Sequence, residues 1–297
     1  MRRGYADTPE GQVHYAEEGS GPPVLLLHHT PRSWTFWRRV IPLLSPRYRV
    51  VAMDTLGFGA SDMPKAGSKA RDYAENVAYF MDAVGIEQAH VAGAMTGSRI
   101  AMELAIGWPE RVRSLTVMGF PLFDSQAETD RRMAETTREH MGAPEPDGSH
   151  VLKVWRYVMG NLAVRDYDAP YAPGVYVPGA AVESPIARMT EAEQEYLRDW
   201  MVDELRVGAH WWSTAVTVYS EDARPRLPLV TPPVLALGLR GRGFPAYLGA
   251  ERAAEVAKLV RDGRTMTVEG ADADSRVATF HAKELAAAML VFWKGLR

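Results

Sequence analysis

Four short apolar runs, VLLL (24–27), YRVVAMD (48–54), AHVAGA (89–94) and VRSLTVMGF (112–120), are separated by stretches of helical character, and this alternation constrains the chain more than any other feature. Continuous apolar runs of this length, bounded by glycine or proline, are what strands covered on both faces require. Strands alternating with helices are joined as parallel neighbours through right-handed crossovers, so an α/β fold follows. Residues 11–54 read as a strand pair and then a buried strand: GQVHYAEEG (11–19), the turn GSGPP, then VLLL. The helical stretches are WTFWRRVIPLL (34–44), about 70–84, and RIAMELAIGW (99–108), which stops at Pro109.

The rhythm breaks from about Pro121 to Leu229. Helical patterns there (AETDRRMAETTREHM, VLKVWRYVMGNLAV, TEAEQEYLRDWMVDELRVGAHWWSTAVTVY) are split by the stretch DYDAPYAPGVYVPG. Alternation resumes with PPVLALG, the helix GAERAAEVAKLV, the strand RTMTVEG and the amphipathic helix KELAAAMLVFWKGL. The predicted organisation is a sheet core formed by residues 1–121 and 229–297, with a mainly helical cap over 122–228.

Composition removes several functions. Without cysteine there is no disulfide framework, thiolate nucleophile, thiolate zinc site or iron-sulfur cluster. With 34 Lys+Arg against 37 Asp+Glu the net charge is -3, which offers no basic footprint, so neither nucleic acid nor an anionic membrane is an expected partner. No apolar run approaches the roughly 20 residues of a membrane span. The start MRRGYADTPEGQ lacks the apolar core of a signal peptide, so the expected location is cytoplasmic.

Four segments resemble the α/β-hydrolase superfamily in its capped branch of epoxide hydrolases and haloalkane dehalogenases. They are LLLHHTPRSWTFWRRVIPLL, MDTLGFGASD, HVAGAMTGSRIAMELA and WPERVRSLTVMG, and the likeness covers nearly the whole chain except the lid. The resemblance implies a mostly parallel central sheet flanked by helices, with a helical cap. It also implies a nucleophile on a sharp strand-to-helix corner, an acid after PPVLALG and a histidine after RTMTVEG.

This chain departs from that pattern at all three places. The corner reads Gly93-Ala94-Met95-Thr96-Gly97, and a neutral thioether has no proton to lose and forms none of the family's covalent intermediates. After PPVLALG comes Gly238-Leu239-Arg240-Gly241-Arg242-Gly243, with no carboxylate. After RTMTVEG comes Gly270-Ala271-Asp272-Ala273-Asp274-Ser275, with no histidine; His281 is the nearest and falls where the last helix should already have begun. The expectation is therefore a lost triad. The family's oxyanion hole uses backbone N–H groups, which the resemblance places at Thr96 and at a residue near His29 or Thr30.

His29 replaces the family's usual glycine and is the best acid/base candidate, with a loop-packing histidine as the alternative. His28 matches a family position that is usually a structural hydrogen-bonder, and it also borders the expected pocket, as Met95 does. Asp54 reads as a turn-capping residue. Trp34 and Trp37 read as packing residues, with Trp34 near enough to the loop to touch substrate. In the lid, Trp155, Tyr157, His210, Trp211, Trp212 and Tyr219 form an aromatic set, either lid core or a flat apolar wall for an aromatic ligand. His90 reads as structural. Adjacent histidines diverge and no third ligand has suitable spacing, so no metal is expected, and no cofactor motif is present.

Three functions remain open at this stage. The leading one is a non-hydrolytic enzyme, of the kind the superfamily supplies to natural-product biosynthesis. It would promote C–C bond formation, cyclisation or elimination on an apolar, polyketide-like carbonyl compound by positioning and oxyanion stabilisation. The second is a hydrolase-like ligand-binding protein without catalysis, and the third a hydrolase using a base outside the triad. The partner in each case is a small apolar molecule, and the sequence allows a homodimer.

Overall fold

Residues 1–131, 145–163, 189–208, 218–240, 249–270 and 274–296 are described by the computed structural model of the chain. The strands β1 (Arg2–Thr8), β2 (Gly11–Glu18), β3 (Pro23–Leu27), β4 (Arg49–Met53), β5 (Ala89–Ala94), β6 (Val112–Met118), β7 (Val234–Arg240) and β8 (Gly263–Glu269) form one sheet. Their order is β1-β2-β4-β3-β5-β6-β7-β8. β1 pairs antiparallel with β2 and β2 with β4, while every later pairing is parallel. The central strands β3 and β5 are buried along their length, as their unbroken apolar runs require.

β1 has no counterpart in the sequence reading. Its residues RRGYADT carry no apolar alternation, and Ala6 is its one buried position. It is a strand because its backbone pairs with β2 in register from Arg2 with Glu17 to Thr8 with Gly11. The stretch 34–44 also differs: instead of one helix it forms a 3-10 turn (Trp34–Trp37) and a four-residue helix α1 (Ile41–Leu44). Pro42 has no N–H to donate back along a continuous helix, so it sits in the first turn of a new one.

The helices α2 (Ala70–Ala83), α3 (Thr96–Gly107), α4 (Ser149–Ala163), α5 (Glu191–Val207), α6 (Ala250–Leu259), α7 (Asp274–Phe280) and α8 (Ala282–Lys294) follow the expected pattern, α7 excepted. That short helix lies between β8 and α8, so His281 caps the start of the final helix rather than lying within it. Alternate residues of the sheet feed two cores. Leu25, Leu27, Val51, Met53 and Val91 pack with α2 and α3, whereas Leu26, Val50, Ala52, Leu235 and Leu237 pack with Trp37, Ile41, Leu285, Met289, Phe292 and Trp293. Burying side chains of this size stabilises by about 1.5–3 kcal/mol each.

Between β6 and β7 the described residues contain α4 and α5, which pack together through Val154, Val158, Tyr196, Leu197 and Trp200. Thr190 opens α5 with a capping box, its hydroxyl accepting from the Glu193 N–H while the Glu193 carboxylate accepts from the Thr190 N–H. Among the described residues no helix is long and apolar enough to cross a membrane.

One close approach positions everything near the site. A Cβ on Gly97 would lie 2.4 Å from the Leu27 carbonyl oxygen and 2.6 Å from that of His28, so the first turn of α3 rests on the backbone leaving β3. Gly97→Ala is therefore expected to destabilise the fold by at least about 2 kcal/mol, read as a lowered urea midpoint. An unchanged midpoint would show that this junction can spread.

Candidate active site

β5 turns into α3 at Met95, whose φ of 46° and ψ of -109° make it the one non-glycine residue with positive φ among the described residues. Such a conformation costs of order 1–3 kcal/mol and persists only where its surroundings enforce it. Here they do. The Met95 N–H donates to the Met118 carbonyl at 2.9 Å, the Ser98 hydroxyl donates to the Gly93 carbonyl at 2.6 Å, and the Met118 N–H donates to Ser98 Oγ at 3.1 Å. The corner thus has the geometry of a nucleophile elbow and carries, partly exposed, a side chain with no ionisable atom.

Thr96 and Thr30 meet directly. The Thr30 N–H donates to Thr96 Oγ1 at 2.7 Å, and the Thr30 hydroxyl donates to the same oxygen at 2.9 Å. The Thr30 amide, expected as a main-chain donor to substrate, is already occupied by a side chain of its own protein. The Thr96 amide belongs to the first turn of α3, where N–H groups have no intrahelical acceptor.

The two adjacent histidines separate cleanly by role. His28 donates through Nδ1 to the His29 carbonyl at 2.9 Å and accepts the Thr55 N–H at Nε2 at 2.9 Å, so both its nitrogens serve the fold and neither is offered to a substrate. Burial lowers its pKa. His29 lies 2.9 Å from the Thr30 carbonyl through Nδ1. A carbonyl only accepts, so Nδ1 carries the proton and Nε2 carries the lone pair. That Nε2 is buried and has no partner in the structure. Burial, reinforced by the charge of Arg32, pushes His29 down to about 3, so the ring is neutral at physiological pH. Its ring meets Phe36 edge-on at 4.9 Å and Trp200 of α5 at 6.5 Å.

The sequence reading missed the charged partners around it. Arg32 is 1% exposed and reaches Asp203 of α5 through Nε at 3.1 Å, with its guanidinium 5.2 Å above Tyr196 and 5.4 Å above Trp200. Asp203 also accepts the Thr35 hydroxyl at 3.1 Å, and burial raises its pKa against the pull of Arg32. Glu204 accepts the Trp200 indole N–H at 2.9 Å, and burial pushes its carboxyl up to about 7. A signal was present: Glu195, Asp199 and Asp203 recur every four residues along one helix face, matching Arg32, Arg38 and Arg39.

Other candidates disperse. Asp54 accepts from the Trp34 N–H at 2.6 Å, the Ala60 N–H at 3.0 Å and His14 at 2.8 Å, which bears out its reading as a turn cap. Trp34 is buried beneath Arg38, whose guanidinium lies 5.1 Å from its ring, and Trp37 is core. His90 hydrogen-bonds Ser114 at 2.7 Å and stacks on Trp293 at 4.8 Å. Of the aromatic set between β6 and β7, the two side chains described lie apart: Trp155 packs on the α4–α5 cluster, whereas Tyr219 belongs to the core beneath α2 and α3. The Tyr157 side chain, His210, Trp211 and Trp212 lie outside the described residues, as do residues 241–243 and 271–273. Among the described residues no group of three metal-ligating side chains comes together.

Glu204 keeps its proton to about pH 7 when folded and loses it near 4.5 when unfolded, so folding becomes less favourable as pH rises across that window. Glu204→Gln removes the titration. In urea unfolding it is expected to gain on the wild type at pH 8, by up to about 3 kcal/mol, relative to any difference at pH 4.5. An equal difference at both pH values would show an ordinary carboxylate.

A model of the alpha/beta hydrolase fold family matches residues 22–140. The soluble epoxide hydrolase of Corynebacterium sp. (strain C12) is 30% identical over 261 residues, 85% of this chain and 85% of that protein. Haloalkane dehalogenase 2 of Mycobacterium tuberculosis is 37% identical over 113 residues, 37% of this chain and 39% of its own length. The crystal structure of E-2-(acetamidomethylene)succinate hydrolase superposes with a TM-score of 0.73 at 20% identity over 99% of both chains, a likeness of fold alone. Identity maintained over that much of the epoxide hydrolase is kinship beyond a shared architecture, and this chain belongs to the alpha/beta hydrolase fold family.

Proposed function

We propose that the protein is an enzyme that activates a small apolar carbonyl compound without a covalent intermediate, with His29 as general base. The reaction class is addition, elimination or cyclisation through an enolate, on a polyketide-like substrate. The observation that carries this reading is the His29 side chain itself: neutral, held in one tautomer by the Thr30 carbonyl, with an unpartnered Nε2 lone pair. Methionine at the elbow supports it, because it leaves no attacking oxygen there, as does the absence of a carboxylate in residues 238–243 and of a histidine in residues 270–275. A positioned base contributes roughly 10²–10⁴-fold to a proton transfer when its pKa lies near the working pH, so this reading requires the developing enolate to raise His29 from about 3 by stabilising the imidazolium beside it. Closure by Trp200 and Phe36 keeps bulk water from the ring, which favours carbon chemistry over hydrolysis.

A second reading is hydrolysis in which His29 activates a water molecule. It is favoured by the relatives, whose names are those of hydrolases. A ligand-binding protein without turnover is the third.

Proton abstraction can be followed without the natural substrate. In D2O, the methyl protons of acetophenone are expected to exchange at least about 100-fold faster with the wild type than in buffer, with the rate lost in His29→Gln and kept in His281→Ala. Equal rates for the two variants, or no acceleration by the wild type, would remove His29 as the base. Met95→Ser, separately, is expected to show no more p-nitrophenyl acetate turnover than the parent, because residues 270–275 hold no histidine to activate the new hydroxyl. Turnover by that variant, or a mass increase on the intact wild-type chain during reaction, would reinstate covalent catalysis.

A further inference from the structure

With the Thr30 amide committed to Thr96, negative charge formed on a substrate oxygen keeps at most the Thr96 amide and needs a second donor, which the turn that carries His29 supplies. The Arg32 N–H donates to the His29 carbonyl at 2.8 Å, a tight turn that brings the two side chains to the same place. Both lie against the ring of Trp200, Arg32 at 5.4 Å and His29 at 6.5 Å. Each ends in an unsatisfied buried atom: Nε2 of His29 lacks a donor, and Nη1 of Arg32 lacks an acceptor. Buried polar atoms are nearly always paired, and these two complementary ones sit on residues of one turn that share Trp200 as a neighbour, close enough for the Arg32 charge to depress the His29 pKa. A group that can donate to one and accept from the other satisfies both, and a hydroxyl or enol does this.

We infer that Arg32 and His29 form the binding site for an enolisable or hydroxylic oxygen of the substrate, with Arg32 Nη1–H holding the oxyanion in place of the occupied Thr30 amide. The proposal rests on His29 being the base named above and adds the group that receives the charge. In the step itself, His29 Nε2 takes a proton from the carbon next to the carbonyl and the C–H bond breaks. The electron pair forms C=C, and the carbonyl oxygen becomes an enolate that accepts from Arg32. Return of the proton from imidazolium to carbon discharges the enolate; alternatively that carbon attacks an electrophilic carbon of the same substrate, the broken π bond's electron pair moves to its acceptor oxygen, and imidazolium delivers the proton there. The guanidinium can serve because its charge is incompletely answered. Asp203 bonds its Nε edge, and burial keeps the neighbouring Glu204 protonated up to about pH 7. Charge-assisted donors in a dry site are about twice as strong as neutral ones, so Arg32 outperforms the amide it replaces.

The test separates the oxyanion site from the base. p-Nitrophenol titrated against the protein and read at 400 nm reports its own ionisation. The wild type is expected to bind it saturably and favour phenolate at least about tenfold over phenol, a pKa lowered by one unit or more. His29→Gln is expected to lose acetophenone exchange and keep this preference, so failure of the base and failure of the oxyanion site appear in different measurements. Removing one member of a buried ion pair strands the other, so the folded variant lacking the guanidinium is the double change Arg32→Met with Asp203→Asn. It is expected to lose the phenolate preference. Asp203→Asn alone keeps an amide oxygen that can accept from Nε, so the guanidinium is not stranded and Nη1 stays in place, and it is expected to retain the preference. Absence of saturable binding by the wild type, survival of the preference in the double variant, or its loss in Asp203→Asn alone would each overturn the proposal.

Discussion

The contact of Gly97 with the carbonyls of Leu27 and His28 is the constraint on which the rest of the site depends. It brings α3 so close to the loop after β3 that Thr96 Oγ1 reaches the Thr30 amide, and that bond in turn fixes the carbonyl that sets the His29 tautomer. Gly93 has the same role one turn earlier, where a Cβ would stand 2.3 Å from the Gly97 carbonyl oxygen. A relative that kept a serine or aspartate at the corner would need the same two glycines. The scaffold therefore survives a change in chemistry, since its steric demands concern backbone and not the side chain at position 95.

The second level of organisation is the seat of α5 on the loop after β3. Tyr196, Trp200 and Asp203 face Arg32, while Glu195 and Asp199 face Arg38 and Arg39. A buried ion pair such as Arg32 with Asp203 contributes little net stability once desolvation is counted, but it is demanding about geometry. Its value here is that it fixes where the cap helix rests over His29. Burial raises the Asp203 carboxyl against the pull of Arg32 and pushes Glu204 up to about 7, while Asp203 engages only the Nε edge of the guanidinium.

Most of the fold was legible because parallel buried strands leave an unmistakable apolar run, as β3 to β7 do, while the edge strand β8, with one buried residue, was legible from the β-branched alternation of RTMTVE. β1 was not, because an edge strand with one buried residue is specified by its neighbour's backbone and not by its own pattern. The corner and both histidines were legible as positions. What they do was only half so: His28 and His29 are adjacent in sequence, and only their hydrogen bonds reveal that one is fully engaged and the other is not. Thr30 was assigned a free amide because backbone donors are invisible to sequence, and so is the side chain that occupies this one. Arg32, Asp203 and Glu204 were passed over because charged residues read as surface, and nothing in a linear sequence shows that residues 171 apart neutralise one another in the interior.

The arginine-to-acid contacts along α5 are graded by depth. At the start of the helix Arg39 and Glu195 retain 37% and 21% of their side-chain exposure, whereas Arg32 and Asp203 retain 1% and 4%. Dissolved ions screen exposed charges over about 8 Å at physiological strength and hardly reach buried ones. Rising salinity therefore weakens the exposed Arg39–Glu195 end of this seam before the buried Arg32–Asp203 end, so the anchoring beside His29 is the part least sensitive to salt.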